Sequence, residues 1–368
     1  MKRAIALARK GAGWVNPNPM VGAVLVNNGR IIGEGFHEYY GGPHAEVNAI
    51  ASVIEHDASL IPGSSLYVTL EPCFHHGKTP PCVDLIIEKQ ISRVVIGMTD
   101  PNPLVHGKGI AKLKENGVSI GYGILEPEIR RMNEVFNKYI LQGIPFVVLK
   151  SAMTLDGKIA TVTNASRWIT CEASRKIVHQ LRQQLSSIMV GVNTILTDDP
   201  MLNIRLKGQW KNPLKVIADT RLRIPVEAKV LTNDPQLTLI ATTSLADKNK
   251  HKDIERLGAQ VLVCPVKDEK VDLRYLMVSL STMGIDSVLI EGGSTLAFSA
   301  LNEGIVDKII SFIAPKILGG AVAPTPVGGV GIELMEDAIT LTDMRIKRVG
   351  EDLMVEAMVQ KNNRTIEQ

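Results

Sequence analysis

Glu71-Pro72-Cys73-Phe74-His75-His76-Gly77-Lys78-Thr79-Pro80-Pro81-Cys82, read with His44-Ala45-Glu46 upstream, decides what kind of domain the first part of the chain forms. Cys73 follows an extended segment, Ser65–Thr69, and Cys82 precedes a helical one, Val83–Lys89. His44 opens a helical pattern that runs to Glu55. Imidazole and thiolate are good zinc ligands, and three protein ligands leave a fourth tetrahedral position for water. Zinc lowers the pKa of such a water towards about 7. Glu46, two residues after His44, is placed to carry protons in the same cavity. His-x-Glu followed by Pro-Cys and a second Cys is the zinc-deaminase arrangement, in which the Glu is not a ligand. Here the cysteine spacing is wider than in that arrangement, with eight residues between Cys73 and Cys82.

Plainer readings exist for each residue. His44 could cap a helix, and the cysteines could be small buried apolar groups. A closed structural site could add His75 or His76 as fourth ligand. Glu46 beside His44 argues for the open site, because a closed one needs no proton carrier.

Outward from this core, short β-branched runs alternate with helical patterns, which argues for α/β layers. Val21–Val26 and Arg30–Phe36 flank Asn27-Asn28-Gly29, a hairpin signal. Arg93–Met98 and Val118–Tyr122 read as strands, Gly109–Asn116 as a helix, and Glu126–Leu141 as one long amphipathic helix. Gln142-Gly143-Ile144-Pro145 ends it, and the domain boundary is placed there. The second half reads as strands at Phe146–Ala152, Ser187–Val192, Leu214–Ala218, Leu237–Thr242, Gln260–Val263, Ser287–Ile290 and Lys308–Ile313. Helical patterns cover Glu172–Gln184, Leu273–Met283 and Thr295–Asn302, and Met344–Val349 with Leu353–Val359 reads as a closing hairpin.

The 368 residues suit two domains at roughly 150 residues each. With 45% hydrophobic and 21% charged residues, disorder and coiled coil are excluded on composition. Forty-one basic residues against 38 acidic ones give a net charge of +3, without the basic stripe of a nucleic-acid binder. Apolar runs of about six residues fall far short of the roughly 18 that span a bilayer. Met1–Lys10 reads as a short amphipathic helix and not a signal peptide, since Arg9 and Lys10 break its apolar stretch. Four cysteines do not make a disulfide scaffold, and free thiols point to the cytoplasm. The expected protein is cytoplasmic and binds neither nucleic acid nor membrane.

In the second half no Gly-x-Gly-x-x-Gly follows a first strand, and Gly329-Val330-Gly331 lacks the strand-to-helix context. The informative segment is Val288-Leu289-Ile290-Glu291-Gly292-Gly293-Ser294-Thr295. A strand, a glycine pair and a helix start offer backbone N–H groups to a phosphate. The alternative is an ordinary tight turn with a serine cap.

Taken together, Asn16-Pro17-Asn18-Pro19-Met20-Val21-Gly22, His44-Ala45-Glu46, the Glu71–Cys82 block and Asp100-Pro101-Asn102-Pro103-Leu104-Val105 resemble one family. It is the bacterial bifunctional riboflavin-biosynthesis deaminase–reductase, and the wide cysteine spacing is that family's own pattern. The second half adds Lys150–Ala160, Ser166-Arg167-Trp168-Ile169-Thr170, Gly191-Val192-Asn193-Thr194 and Asp198-Asp199-Pro200-Met201-Leu202 to the resemblance. Cys171 departs from it, standing where small residues often occur in the family.

The resemblance implies an α/β chain with a cytidine-deaminase-like three-layer domain over 1–143 and a dihydrofolate-reductase-like domain over 145–368. It implies hydrolytic deamination of 2,5-diamino-6-(5-phosphoribosylamino)pyrimidin-4-one, then NADPH-dependent reduction of the ribosyl group to a ribityl phosphate. His44, Cys73 and Cys82 would hold one zinc per protomer, with Glu46 as proton relay. Asn18, His37, His75, Lys78 and Asn102 stand at positions that bind the deaminase substrate. Ala152, Trp168, Thr194, Asp198 and the turn Gly293, Ser294, Thr295, Leu296, Ala297, Phe298, Ser299 would contact NADPH. Ser166, Arg182, Leu202, Arg205 and Glu291 would contact the reductase substrate. Arg182 and Arg205 suit a phosphate through bidentate hydrogen bonds. Lys150 and Asp198 are candidates for a general acid. The expected partner is a small phosphorylated pyrimidine, and a homo-oligomer is expected. Two other readings compete with this one. A nucleic-acid deaminase predicts a basic surface and a short Cys-x-x-Cys, and leaves some 220 residues of the second half unexplained. A non-catalytic zinc-stabilised binding protein would hold metal without releasing ammonia.

Overall fold

A computed structural model describes residues 1–74 and 80–360. The chain divides into a compact unit Met1–Gly143 and a second that begins at Ile144.

The first unit contains α1 (Lys2–Ala8), β1 (Gly22–Asn27), β2 (Arg30–Phe36), α2 (Ala45–Ala51), β3 (Ser65–Leu70), α3 (Cys82–Glu88) and β4 (Arg93–Met98). It continues with α4 (Lys108–Glu115), β5 (Ser119–Tyr122), α5 (Glu126–Met132) and α6 (Glu134–Gln142). Its sheet has the order β2-β1-β3-β4-β5. The β2-β1 and β1-β3 pairs are antiparallel, while β3-β4 and β4-β5 are parallel. Asn27 faces Arg30 across a two-residue turn, with Asn28 at φ 48° and Gly29 at φ 78°. Positive φ at both central residues is what a hairpin of this length requires. Successive side chains on β1 go to opposite faces. Ala23 and Leu25 pack with Ala45, Ala49, Val83 and Ile86, and Val24 packs with Ala4 and Leu7. Helices therefore cover both faces, giving three layers.

Two helices of this unit are shorter than their sequence patterns. The helix after His44 stops at Ala51, where the Ser52 hydroxyl donates back to the Ala49 carbonyl at 2.8 Å. The single helix expected over Glu126–Leu141 is two, α5 and α6, broken at Asn133. The buried Asn133 amide grips the Met20 backbone, accepting its N–H at 2.9 Å and donating to its carbonyl at 3.0 Å. That tertiary contact overrides local helix propensity.

The second unit opens with β6 (Phe146–Thr154), α7 (Glu172–Gln184), β7 (Ser187–Gly191), α8 (Val192–Asp198), β8 (Leu214–Ala218), α9 (Lys229–Thr232), β9 (Thr238–Thr242), α10 (Lys248–Arg256) and β10 (Gln260–Val263). There follow β11 (Val266–Lys267), β12 (Lys270–Val271), α11 (Leu273–Thr282), β13 (Ser287–Glu291), α12 (Ser294–Asn302), β14 (Lys308–Ala314), β15 (Leu341–Val349) and β16 (Asp352–Val359). The main sheet runs β10-β9-β8-β7-β13-β6-β14-β16-β15. Its first seven strands are parallel, and β16 and β15 continue it antiparallel as the closing hairpin. Met189 and Val216 face one core with Leu276, Leu280 and Ala300, while Ile188, Val190 and Ile217 face another with Leu222, Val230 and Ile254. Burial on both faces explains why these strands read as unbroken apolar runs. Helices α8, α9 and α10 have no counterpart among the helical patterns of the sequence.

Candidate metal centre and cofactor cleft

His44 is the N-cap residue of α2, with extended backbone at φ −73° and ψ 163°. Cys73 lies just beyond β3, and Cys82 is the first residue of α3. The strand end and the two helix starts converge. His44 Nδ1 lies 3.3 Å from Cys82 Sγ and 3.5 Å from Cys73 Sγ, and all three donor atoms fall within 4.8 Å of one another. Ligands at about 2.3 Å for sulfur and about 2.0 Å for nitrogen put the edges of a tetrahedron near 3.5–3.8 Å. The three residues therefore fit zinc. The Cys82 N–H also reaches Cys73 Sγ at 3.3 Å. The Cys73 thiol is pulled down, first by the hydrogen bond from Cys82 and then by His44, while Cys82 is pushed up by the same sharing and by burial.

Glu46 is 3% exposed on the first turn of α2. Burial, followed by the Cys73 charge, raises its pKa to about 7. His37 is also buried, and its ring stands edge-on to His44 with centroids 5.7 Å apart. Its Nδ1 bonds the Pro43 carbonyl at 3.0 Å, and its Nε2 lies 3.2 Å from Asn18 Nδ2. Asn18 and His37 are therefore brought beside the metal ligands. His75 and Lys78 lie outside the described residues. Asn102 is committed locally: its Oδ1 accepts the Leu104 N–H at 3.0 Å, and its own N–H goes to Asp100 at 2.9 Å.

Glu71 was missed from sequence. Its buried carboxylate accepts backbone N–H groups of Asp100 at 3.2 Å, Gly107 at 3.0 Å and Ile110 at 3.2 Å. It ties the segment entering Cys73 to the segment carrying Asn102 and to the start of α4. An acid directly after a buried strand was the available signal.

In the second unit, register places Lys150 on β6 opposite Glu291 at the end of β13. Arg182 of α7 binds the Glu291 carboxylate through Nε at 2.6 Å and Nη2 at 3.0 Å, and Lys150 Nζ lies 3.7 Å away. Burial opposes the charge on Glu291, but Arg182 and Lys150 outweigh it and hold the carboxyl below its ordinary value. Burial pushes the Lys150 amine down. Arg182 Nη1 donates to the Asn203 carbonyl at 2.9 Å, so much of its donor set is spent within the protein. Leu202 is buried with φ 51°, and Arg205 contacts His179 through its backbone N–H at 3.3 Å. Ser166 is half-buried.

A cleft of about 460 Å³ opens beside this cluster's glycine turn. Gly191–Asn193 and Gly293–Leu296 line it, and Arg221, Arg223 and Lys270 bring positive charge to it against the single carboxylate of Glu269. Gly292 and Gly293 have φ of 103° and 85°, which glycine adopts freely. Gly293 is the N-cap of α12, so no side chain caps the helix start. That removes the serine-cap alternative and leaves the first N–H groups for an anion. The cleft fits a phosphate-bearing cofactor. Ser294, Thr295, Leu296 and Ser299 line it, whereas Ala297 sits in the apolar core. The Phe298 ring packs against Gly329. Thr194 Oγ1 approaches the glycine pair, Ala152 lies on β6, and Asp198 ends α8 exposed to solvent. Trp168 is 58% exposed, with the Arg175 guanidinium 4.6 Å over its ring.

Residues 1–98 match the cytidine and deoxycytidylate deaminase zinc-binding region, and residues 145–355 match the RibD C-terminal domain. The riboflavin biosynthesis protein RibD of Actinobacillus pleuropneumoniae is 46% identical over 98% of this chain and 94% of its own length. The Escherichia coli K12 protein of that name is 35% identical over 96% of each chain. Among solved structures, Acinetobacter baumannii RibD is 35% identical with a TM-score of 0.86, covering 98% of each chain. A Thermotoga maritima diaminohydroxyphosphoribosylaminopyrimidine deaminase/5-amino-6-(5-phosphoribosylamino)uracil reductase is 38% identical with a TM-score of 0.81, covering 98% of this chain and 97% of its own.

Proposed function

We propose how this chain, which belongs to the RibD family of riboflavin-biosynthesis proteins, divides two reactions between its two units. The chain is a bifunctional enzyme, a pyrimidine deaminase and an NADPH-dependent reductase, with a zinc-binding cytidine-deaminase-like fold followed by a dihydrofolate-reductase-like one. Its substrate is a small phosphorylated pyrimidine.

Residues Met1–Gly143 carry the deamination. Zinc held by His44, Cys73 and Cys82 would supply the charge that acidifies a water at the open position. Glu46 takes a proton from the attacking water and passes protons to the ring nitrogen and to the leaving amine, which departs as ammonia. Asn18 and His37 orient the ring beside His44. His75, Lys78 and Asn102 complete the substrate contacts. The observation that carries this reading is the convergence of His44, Cys73 and Cys82 with buried Glu46 two residues from one of them.

Residues from Ile144 onward carry the reduction. The Gly293–Leu296 turn would hold the phosphates of NADPH, which would supply a hydride for the sugar C1. The aminopyrimidine nitrogen opens the sugar ring to a protonated imine as the ring oxygen takes up a proton, so that hydride addition at C1 gives the amine directly. Lys150 is the donor best placed for that proton, buried beside Glu291, whereas Asp198 is exposed at a helix end. Arg205 meets the substrate phosphate, and Ser166, Leu202, Arg182 and Glu291 shape the same end of the site.

The order is deamination first. The protein works in the cytoplasm as a homo-oligomer. Its four cysteines are free thiols, and among the described residues no helix is long and apolar enough to cross a membrane. Strand β15 is a sheet edge with exposed Leu341, Met344 and Ile346, the kind of edge that a second chain covers. Purified protein incubated with the diaminopyrimidinone phosphate should release ammonia without NADPH and should oxidise NADPH only after deamination. Ammonia release without any subsequent NADPH oxidation would refute the reductase assignment.

A further inference from the structure

We propose that His179 is a positioning residue of the reductase unit, holding Arg205 in the direction from which its guanidinium meets the substrate phosphate. The inference rests on the reading of Arg205 as a phosphate contact.

Arg205 lies between α8 and β8, in a stretch without helix or strand. No ladder fixes side chains there, so their direction must come from other contacts. Three are present. Arg182 Nη1 donates to the Asn203 carbonyl at 2.9 Å, Asn212 Oδ1 accepts the Ile204 N–H at 3.1 Å, and the Arg205 N–H points at His179 Nδ1 from 3.3 Å. His179 and Arg182 stand three residues apart on α7, hence on one helix face. That face works as a template against which residues 203–205 are laid.

The other ring nitrogen, His179 Nε2, lies 3.4 Å from Arg205 Nε. A neutral imidazole accepts at one nitrogen only. One of the two contacts is therefore the accepted hydrogen bond, and that one restrains Arg205, through its backbone or its side chain, while the other ring nitrogen carries the proton. The acceptor role needs an uncharged ring. Burial first, then the charges of Arg182 and Arg205, push the His179 pKa down to about 4, with Lys150 adding to this and Glu291 opposing it. At neutral pH the ring accepts.

Arg205 needs such a restraint. Among the described residues no carboxylate pairs with it. Besides partial burial, the charges of Arg182 and Arg167 act against its own and outweigh the opposing charge of Glu291. Left alone, a long flexible cation among cations would swing towards solvent. Held by His179, it leaves an uncompensated positive charge where a phosphate dianion can neutralise it.

The test uses the full-length protein with pre-deaminated substrate and four variants: His179→Leu, His179→Asn, His179→Gln and Arg205→Ala. Leu removes the acceptor, whereas Asn and Gln each keep one near Nδ1 or Nε2. Loss of one such hydrogen bond should raise KM roughly fivefold or more in His179→Leu, with kcat and the NADPH dissociation constant within twofold of the parent. The inhibition constant of ribose 5-phosphate should rise in parallel, and at least one amide variant should recover most of both losses. Should His179→Leu fold poorly, the two amide variants against the parent give the same comparison, with unequal KM values expected. Unchanged KM in His179→Leu beside a raised KM in Arg205→Ala would overturn the role of His179 while leaving Arg205 as the phosphate contact. Unchanged KM in Arg205→Ala would overturn both. A fall in kcat with constant KM would overturn the positioning role.

Discussion

Arg182 and Glu291 stand 109 residues apart in the chain and meet as a bidentate pair, Nε to Oε1 at 2.6 Å and Nη2 to Oε2 at 3.0 Å. Both side chains are largely buried, at 12% and 6% exposure, and Lys150 shares the same carboxylate. One negative charge thus holds two buried cations. Removing one partner of a buried pair leaves an uncompensated charge. Glu291→Gln should lower the stability of the second unit by about 3–5 kcal/mol. Urea unfolding followed by tryptophan fluorescence, with Trp168 and Trp210 in the second unit, checks this, with ammonia release as the control.

The same pair sets a pH dependence. The Glu291 carboxyl is held below its ordinary value of 4.5, so its stabilising contribution is complete above that value. It is lost as pH falls through the lower value in the folded state. The parent should lose stability on acidification below pH 4.5, and Glu291→Gln should lose less over the same interval. Parallel curves for the two proteins would assign the acid sensitivity to other groups.

Glu46→Gln should keep about one zinc per chain and lose ammonia release by a factor of about 10² or more, the usual worth of a positioned proton carrier. Stripping the metal with a chelator should also stop ammonia release, and added zinc should restore it. Reduction of pre-deaminated substrate should continue in both cases. Metal analysis and an ammonia assay settle the matter, and full activity in the Gln variant would remove Glu46 from the mechanism.

Gly293→Val should raise the NADPH dissociation constant at least tenfold, or about 1.4 kcal/mol. The reason is conformational. A Cβ at Gly293 would meet only ordinary contacts, the nearest being Leu296 Cβ at 3.5 Å, but φ is 85°, where a β-branched residue is strained. The turn must therefore shift, and its N–H groups shift with it. Fluorescence titration of NADPH reads the effect, and deamination by the same protein controls for unfolding.

A chain ending at Gly143 should fold and deaminate without NADPH. Its core, from Ala23 and Leu25 through Ile96 to Leu113, closes within the first 143 residues. Gly143 itself sits at φ 67°, a left-handed cap where a helix stops naturally. Insolubility of this fragment beside a well-behaved full chain would argue against an independent first unit.

Local patterns in the sequence carried a great deal here. The hairpin at Asn28-Gly29, the alternation of strand and helix, and the motif residues His44, Cys73 and Cys82 were legible because each depends on neighbours within a few positions. Their motifs marked those three as candidates, but their convergence, with His44 and Cys82 38 residues apart, belongs to the fold. The break at Asn133, the loop anchor Glu71, the gathering of Lys150, Arg182 and Glu291, and the hold of His179 on Arg205 were decided by tertiary structure alone. Each joins elements remote in the chain, such as Asn133 to Met20 or Arg182 to Glu291. A polar side chain in the sequence does not declare its partner. Only when the sheet brings strand ends and helix faces together does burial force each such group to find one.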